Sequence, residues 1–216
     1  MTRTINRDRQ RRDVIVLGAS AGGVSALRDL FAKLPEDLDA SIALVLHRSP
    51  VVESSLASVL AWRSPLPVIE AVDEMPFARG SIYVAPRDQH LRIDGATLRL
   101  SRGPKEQHTR PAIDPLFRSA AASHGKRVVG VLLSGTGDDG VSGLISITAE
   151  GGLSLVQDLS EAAYPQMPRS ALINDRVEAA LPVAEIADVL GQLARGESVV
   201  VTGPTPERSG GLAGTA

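Results

Sequence analysis

Three short polar motifs in this 216-residue chain carry residue types that can make and break an acyl bond. In GASAG, residues 18–22, Ser20 stands between small neighbours in the pattern G-x-S-x-G, which lets a chain turn sharply and push a serine hydroxyl outward as a nucleophile. His47 opens HRSP, and imidazole titrates where a base is useful at neutral pH. SGTGDDG, residues 134–140, supplies two neighbouring carboxylates, Asp138 and Asp139. A hydroxyl to attack, a base to take its proton and a carboxylate to orient that base are the three parts of Ser-His-Asp acyl transfer. Residue types alone do not choose between Asp138 and Asp139. The order Ser, His, Asp also differs from the Ser, Asp/Glu, His order of α/β-hydrolases.

The serine loop has rival readings. A glycine turn before a helix also suits an anion cradle at the helix N-terminus, or a plain structural turn. The dinucleotide fingerprint G-x-G-x-x-G is not met, because Ser20 stands at its second glycine, and no Gly-Lys-Ser/Thr closes a Walker loop.

The elements that must position these residues are legible from periodicity. Residues 14–17 form a β-branched run, and apolar positions then recur at Val24, Leu27, Leu30, Phe31 and Leu34 with the spacing of one helical face. SIALVL, residues 41–46, reads as a strand covered on both faces, ending at His47. Leu56, Val59 and Leu60 suggest a helix stopped by Pro65 and Pro67. SIYVAP, HLRI and TLRL read as short strands with a turn at Asp94-Gly95, an appended β-hairpin. Helical spacing over residues 116–123, the buried run RVVGVLL at 127–133, a helix through Leu144, Ile145 and Ile147, the strand LSLVQ and two further helices complete the pattern. The expected fold is a single α/β domain with a doubly wound, mainly parallel open sheet, a class whose sites gather beyond the carboxyl ends of the strands. GASAGG, HRSP and SGTGDDG each follow such a strand, so one rim can collect all three.

Residues 14–201 are the expected domain. Residues 1–13 are read as a disordered basic arm and residues 202–216 as a disordered tail too poor in apolar side chains to pack. A net charge of −2, with two Tyr, three Phe and one Trp, excludes a basic, aromatic nucleic-acid surface. The chain has no cysteine, which removes thiol nucleophiles and zinc-thiolate sites and fits a reducing compartment. No apolar run is long enough for a secretory core or membrane insertion, and a cytoplasmic location is expected.

Taken together, VIVLGASAGG, VLHRSP, IYVAPRDQHL, RPAIDPLF, GVLLSGTGDDGVSGL, LVQD and YPQMPRSAL resemble the catalytic domain of the chemotaxis receptor methylesterases, the CheB type, over nearly the whole expected domain. The resemblance implies a doubly wound α/β fold and hydrolysis of glutamate methyl esters on chemoreceptor-type proteins, with deamidation of receptor glutamines in some members. It places the nucleophile on Ser20, the base on His47 and the acid on Asp139, since Asp138 falls where the family varies. It places backbone oxyanion donors at Thr136 and Ala21 and substrate contact at Met167, and implies no cofactor and no metal. The chain departs from the family at Ala21, at Arg48-Ser49 and at Gln166. The rim arginines Arg48, Arg87, Arg110 and Arg169 are candidates to attract an acidic receptor helix. Many members begin with a receiver domain, whereas about a dozen residues precede the first expected strand here. A stand-alone enzyme, a domain cut from a longer protein and control by a separate receiver-domain partner are the alternatives, and the isolated chain is expected to act without a phosphodonor. A nucleotide-binding or non-catalytic receptor-docking domain is the alternative.

Overall fold

In a computed structural model, which describes residues 2–48 and 55–202, the chain opens with β1 (Thr2–Ile5) and β2 (Val14–Ala19). It continues through α1 (Gly23–Phe31), β3 (Ser41–Leu46), α2 (Leu56–Ala61), β4 (Val68–Glu70), β5 (Ser81–Val84), β6 (His90–Asp94) and β7 (Thr97–Ser101). Then follow α3 (Ile113–His124), β8 (Val128–Leu132), α4 (Val141–Ala149), β9 (Leu153–Gln157), α5 (Gln166–Asn174), β10 (Ala179–Leu181), α6 (Val183–Ala194) and β11 (Val199–Thr202).

Seven strands form one sheet in the order β10-β9-β8-β2-β3-β5-β4, and every pairing in it is parallel. β2, β3 and β8 are buried along their length because helices cover both faces, which is why they read as unbroken apolar runs. One face packs Ile15, Leu17 and Leu44 against Leu27, Leu30 and Phe31 of α1 and Ile186 and Leu190 of α6. The other packs Val14, Val16 and Val45 against Leu116 and Phe117 of α3, Leu144 of α4 and Met167 of α5. The chain steps outward from β2 to β3 and β5, then returns to β2's other side as β8. The order therefore reverses between β2 and β8, and such a switch point opens a crevice at the carboxyl edge.

The hairpin is a sheet of its own, β6 pairing only with β7, and Leu91, Ile93 and Leu98 bury it in the core that α3 shares. The strand SIYV before it joins the parallel sheet as β5.

The disordered basic arm is corrected by the structure. Thr2–Ile5 pairs antiparallel with β11, Ile5 lies in the core, and Arg12 and Asp13 are buried. Its charges are neutralised locally: Asp13 is ion-paired with Arg79, with Arg127 at 2.8 Å and with Arg11 at 3.4 Å. Of the expected tail, Thr202 belongs to β11 and residues 203–216 lie outside the described residues.

Candidate active site

The parallel register of β2 and β3 pairs Ala19 with Leu46, so Ser20 and His47 each leave their strand at the same level. The His47 amide donates to the Ala19 carbonyl at 3.0 Å, which carries the ladder one step past the strand ends. The turn after Ser20 is held by the Gly23 amide donating to the Ser20 carbonyl at 2.9 Å. Gly22 sits there at φ 74, where a Cβ would also lie 2.7 Å from Ser134 Oγ, so both conformation and space call for glycine.

Across the switch point, Ser134 follows β8 and acts as a clasp. Its carbonyl accepts the Ser20 amide at 3.0 Å, and its buried hydroxyl donates to the Ala21 carbonyl at 2.8 Å while accepting the Tyr164 amide at 3.0 Å. Its own amide donates to Gln157 Oε1 at 2.9 Å. Gly135 is pinned on both sides, donating to the Tyr164 carbonyl at 2.8 Å and accepting from the Met167 amide at 3.1 Å. A Cβ on Gly135 would run into Met167 Sδ and lie 2.9 Å from the Ser20 Cβ. Among the described residues, the Ala21 and Thr136 amides donate to no protein acceptor. Free N–H groups are what a developing oxyanion requires.

His47 meets Asp139: the ring Nε2 and the Asp139 Oδ2 are 2.7 Å apart, with the His47 side chain mostly buried and the carboxylate almost wholly so. Asp139 also accepts the Ile113 amide at 2.7 Å and the Asp114 amide at 3.0 Å, so its carboxylate is held by two backbone donors and one ring nitrogen. Asp138 turns away and accepts Ser170 Oγ–H at 2.6 Å on α5. With Nε2 engaged, Nδ1 is the ring nitrogen left to take a proton. No hydrogen bond joins Ser20 Oγ to the ring in this structure, as is common before substrate tightens a site.

Met167 is corrected: it is fully buried, its amide serves Gly135, and it supports the loop from below, out of a substrate's reach. Of the rim arginines, Arg48 is bound to Glu70 at 3.0 Å and to the Ala85 carbonyl at 2.9 Å, and Arg110 to Asp88 at 2.7 Å. Arg169 is exposed and Arg87 half-buried, and neither makes an ion pair among the described residues. The sequence reading missed Ser134, Asp114 and Thr109, whose Oγ1 lies 3.4 Å from His47 Nε2. Asp114 and Thr109 sit in or beside the quoted RPAIDPLF segment, but only their placement gives them a role. Among the described residues no three His, Cys, Asp or Glu side chains converge as metal ligands, and no helix is long and apolar enough to cross a membrane.

The family model for the CheB methylesterase matches residues 15–190. The chain belongs to the CheB methylesterase family. This CheB-type chain is 41% identical over 185 residues to a protein-glutamate methylesterase/protein-glutamine glutaminase of Anaeromyxobacter dehalogenans, covering 86% of the chain and 54% of that relative. It is 36% identical over 183 residues to one from Pyrococcus horikoshii, covering 83% and 50%. The crystal structure of the Thermotoga maritima CheB methylesterase catalytic domain superposes with a TM-score of 0.80 at 30% identity, covering 84% of this chain and 98% of that one. The chain thus spans about half the length of the curated relatives it matches, and nearly all of the solved catalytic domain.

Proposed function

We propose that this CheB-family chain hydrolyses glutamate methyl esters on chemoreceptor-type proteins through Ser20, His47 and Asp139. The observation that carries the reading is the 2.7 Å His47–Asp139 bond beside the serine elbow. Ser20 Oγ attacks the ester carbonyl while His47 Nδ1 takes its proton, and Asp139 steadies the imidazolium through Nε2. The carbonyl oxygen, now an anion, is received by the Ala21 and Thr136 amides, a device worth about 10²–10³ in rate per donor. The tetrahedral adduct collapses, the bond to the methoxy oxygen breaks, and methanol departs with the proton from His47. Water then attacks the acyl-serine with His47 again as base, which frees the glutamate carboxylate and restores the serine. The same steps with an amide release ammonia, and the printed names of the relatives, which include protein-glutamine glutaminase, favour that second activity. An anion cradle fits less well, because the buried Asp139 carboxylate, bonded to His47 beside the loop, has the wrong sign for a phosphate.

The test is methanol release from a methyl-esterified receptor fragment by the purified chain, with and without a small phosphodonor, alongside labelling by a serine-reactive phosphonate. Release that depends on Ser20, with the label on Ser20, is expected. Nucleotide-dependent thermal stabilisation with neither release nor labelling would favour the binding-domain reading.

A further inference from the structure

One buried carboxyl group has no part in those steps. Asp114, on the first turn of α3, is 4% exposed and lies directly behind Asp139. The two acids exchange helix ends. Asp139 takes the first amides of α3, from Ile113 and Asp114, and Asp114 Oδ1 takes the Gly140 amide at 3.1 Å and the Gly143 amide at 2.7 Å at the start of α4. Neither helix is capped by its own N-cap side chain, those residues being Ala112 and Gly140. The amides that every helix start leaves unsatisfied are instead met by the opposite segment's carboxylate. Asp139 is trapped between two helix ends, with Oδ2 also on His47.

We propose that Asp114 is a positioning residue for the esterase site, holding the peptide that follows Asp139 so that the carboxylate stays on His47 Nε2. The inference rests on the Ser20–His47–Asp139 reading. What the geometry asks of residue 114 is one oxygen that reaches both the Gly140 and the Gly143 amides. Here the second acid is kept in an unfavourable place. Burial first, and then the charge of Asp139, push the Asp114 carboxyl above its usual range, while the Gly143 amide, Arg118 and the Gly140 amide pull it back. The charged groups around it are Asp139 on the loop, Arg118 on its own helix at 4.0 Å, Glu106 holding Arg118 at 2.7 Å, and His47 beyond Asp139. From α4 only amides face it.

The experiment uses the full chain, counts competent sites by phosphonate labelling of Ser20, and expresses rates per labelled site. A wild-type chain that takes no label refutes the underlying triad reading, an outcome distinct from those that follow. In Asp114→Ala the per-site kcat is expected to fall about tenfold or more with KM nearly unchanged. The acid limb of kcat/KM should move to lower pH, because a loosened Asp139 stabilises the imidazolium less. Asp114→Asn keeps an oxygen acceptor for both amides and should recover kcat to within about threefold of wild type. A purely structural role would lower the number of labelled sites and leave the per-site rate and pH limb unmoved, and that result overturns the proposal. Should Asp114→Ala yield no folded protein, Asp114→Ser, whose hydroxyl reaches only one amide, must show the same loss and the same pH shift. Wild-type values in that folded variant overturn the proposal equally.

Discussion

At His47 the decisive detail is which nitrogen meets the carboxylate. Asp139 holds Nε2, so in the proposed mechanism the Ser20 proton passes to Nδ1, and the three residues are expected to work as a unit. Ser20→Ala and His47→Ala should each reduce ester hydrolysis by about four orders of magnitude or more, and the double variant should be little worse than either, because losses within one relay do not add. Rates of methanol release from the three proteins check this, and near-additive losses would dissolve the unit. Asp139→Asn should be milder, since it disturbs orientation and charge but leaves the attacking group. Ser20, His47 and the acidic loop were legible because hydroxyl, imidazole and carboxylate declare their chemistry by type, and each follows an apolar run. That Asp139 rather than Asp138 meets His47 was legible only through the family resemblance; the physical reason is that Asp138 spends its carboxylate on Ser170. Ser134 was not legible, because a serine near a glycine turn looks like any other. Its hydroxyl bridges Ala21 and Tyr164 from a buried position. Ser134→Ala should therefore fold with a loss of about 1–3 kcal/mol for the partners left unmet. It should also lower kcat more than it raises KM, because the Ala21 peptide it clasps belongs to the proposed oxyanion pair; steady-state kinetics with the receptor fragment separate the two.

At the scale of elements, the site is where two helix starts meet behind one strand end. The long strands β2, β3 and β8 were readable from their β-branched runs. The three-residue strands β4 and β10 were not, since so short a stretch acquires its conformation from the neighbour it pairs with. The paired ends of α3 and α4 were equally hidden, because the capping residues lie 25 to 29 positions away from the amides they serve. That arrangement makes stability depend on pH in a definite direction. The folded protein raises the Asp114 carboxyl above its unfolded value of 3.8, so it favours the protonated form. The stabilisation is complete below that unfolded value and is lost as pH rises through the folded one. Asp114→Asn, which is always neutral, escapes that loss. Melting curves of both proteins at about pH 3.5 and about pH 7 should therefore show the variant gaining on wild type at the higher pH, the pH-independent part of the substitution cancelling between them. A variant that instead loses ground as pH rises would mean that folding favours the ionised carboxylate. Together with the kinetic test, this separates a residue kept for stability from one kept for the site.

For the whole molecule, the N-terminal segment was the largest misreading, and its cause is instructive. MTRTINRDRQRRD has the charge density of a solvated arm, yet Arg3, Arg11 and Arg12 are absorbed by acceptors far along the chain that composition cannot show. Arg12 is buried, donating through Nε to Asn6 Oδ1 at 2.8 Å and through its guanidinium to the Gly151 carbonyl at 3.0 Å and the Lys126 carbonyl. Its backbone amide donates to the Leu193 carbonyl at 3.0 Å, and Asn6 reaches the Glu197 carbonyl at 2.9 Å. The segment thus ties the amino edge of the sheet to the ends of α4 and α6, while the Ser20–His47–Asp139 site lies at the carboxyl edge. Removing the Arg12 side chain takes the donor from the buried Asn6 amide oxygen and from the Lys126 and Gly151 carbonyls at the first edge and touches nothing at the second. Arg12→Ala should accordingly cost about 2–4 kcal/mol, a fall in Tm of roughly 4–16 °C for a chain of this size. The rate per phosphonate-labelled site, measured well below the new Tm, should stay at the wild-type value. An unchanged Tm would show that the arm is not docked in solution, and a lowered per-site rate would show that the two edges of the sheet are coupled.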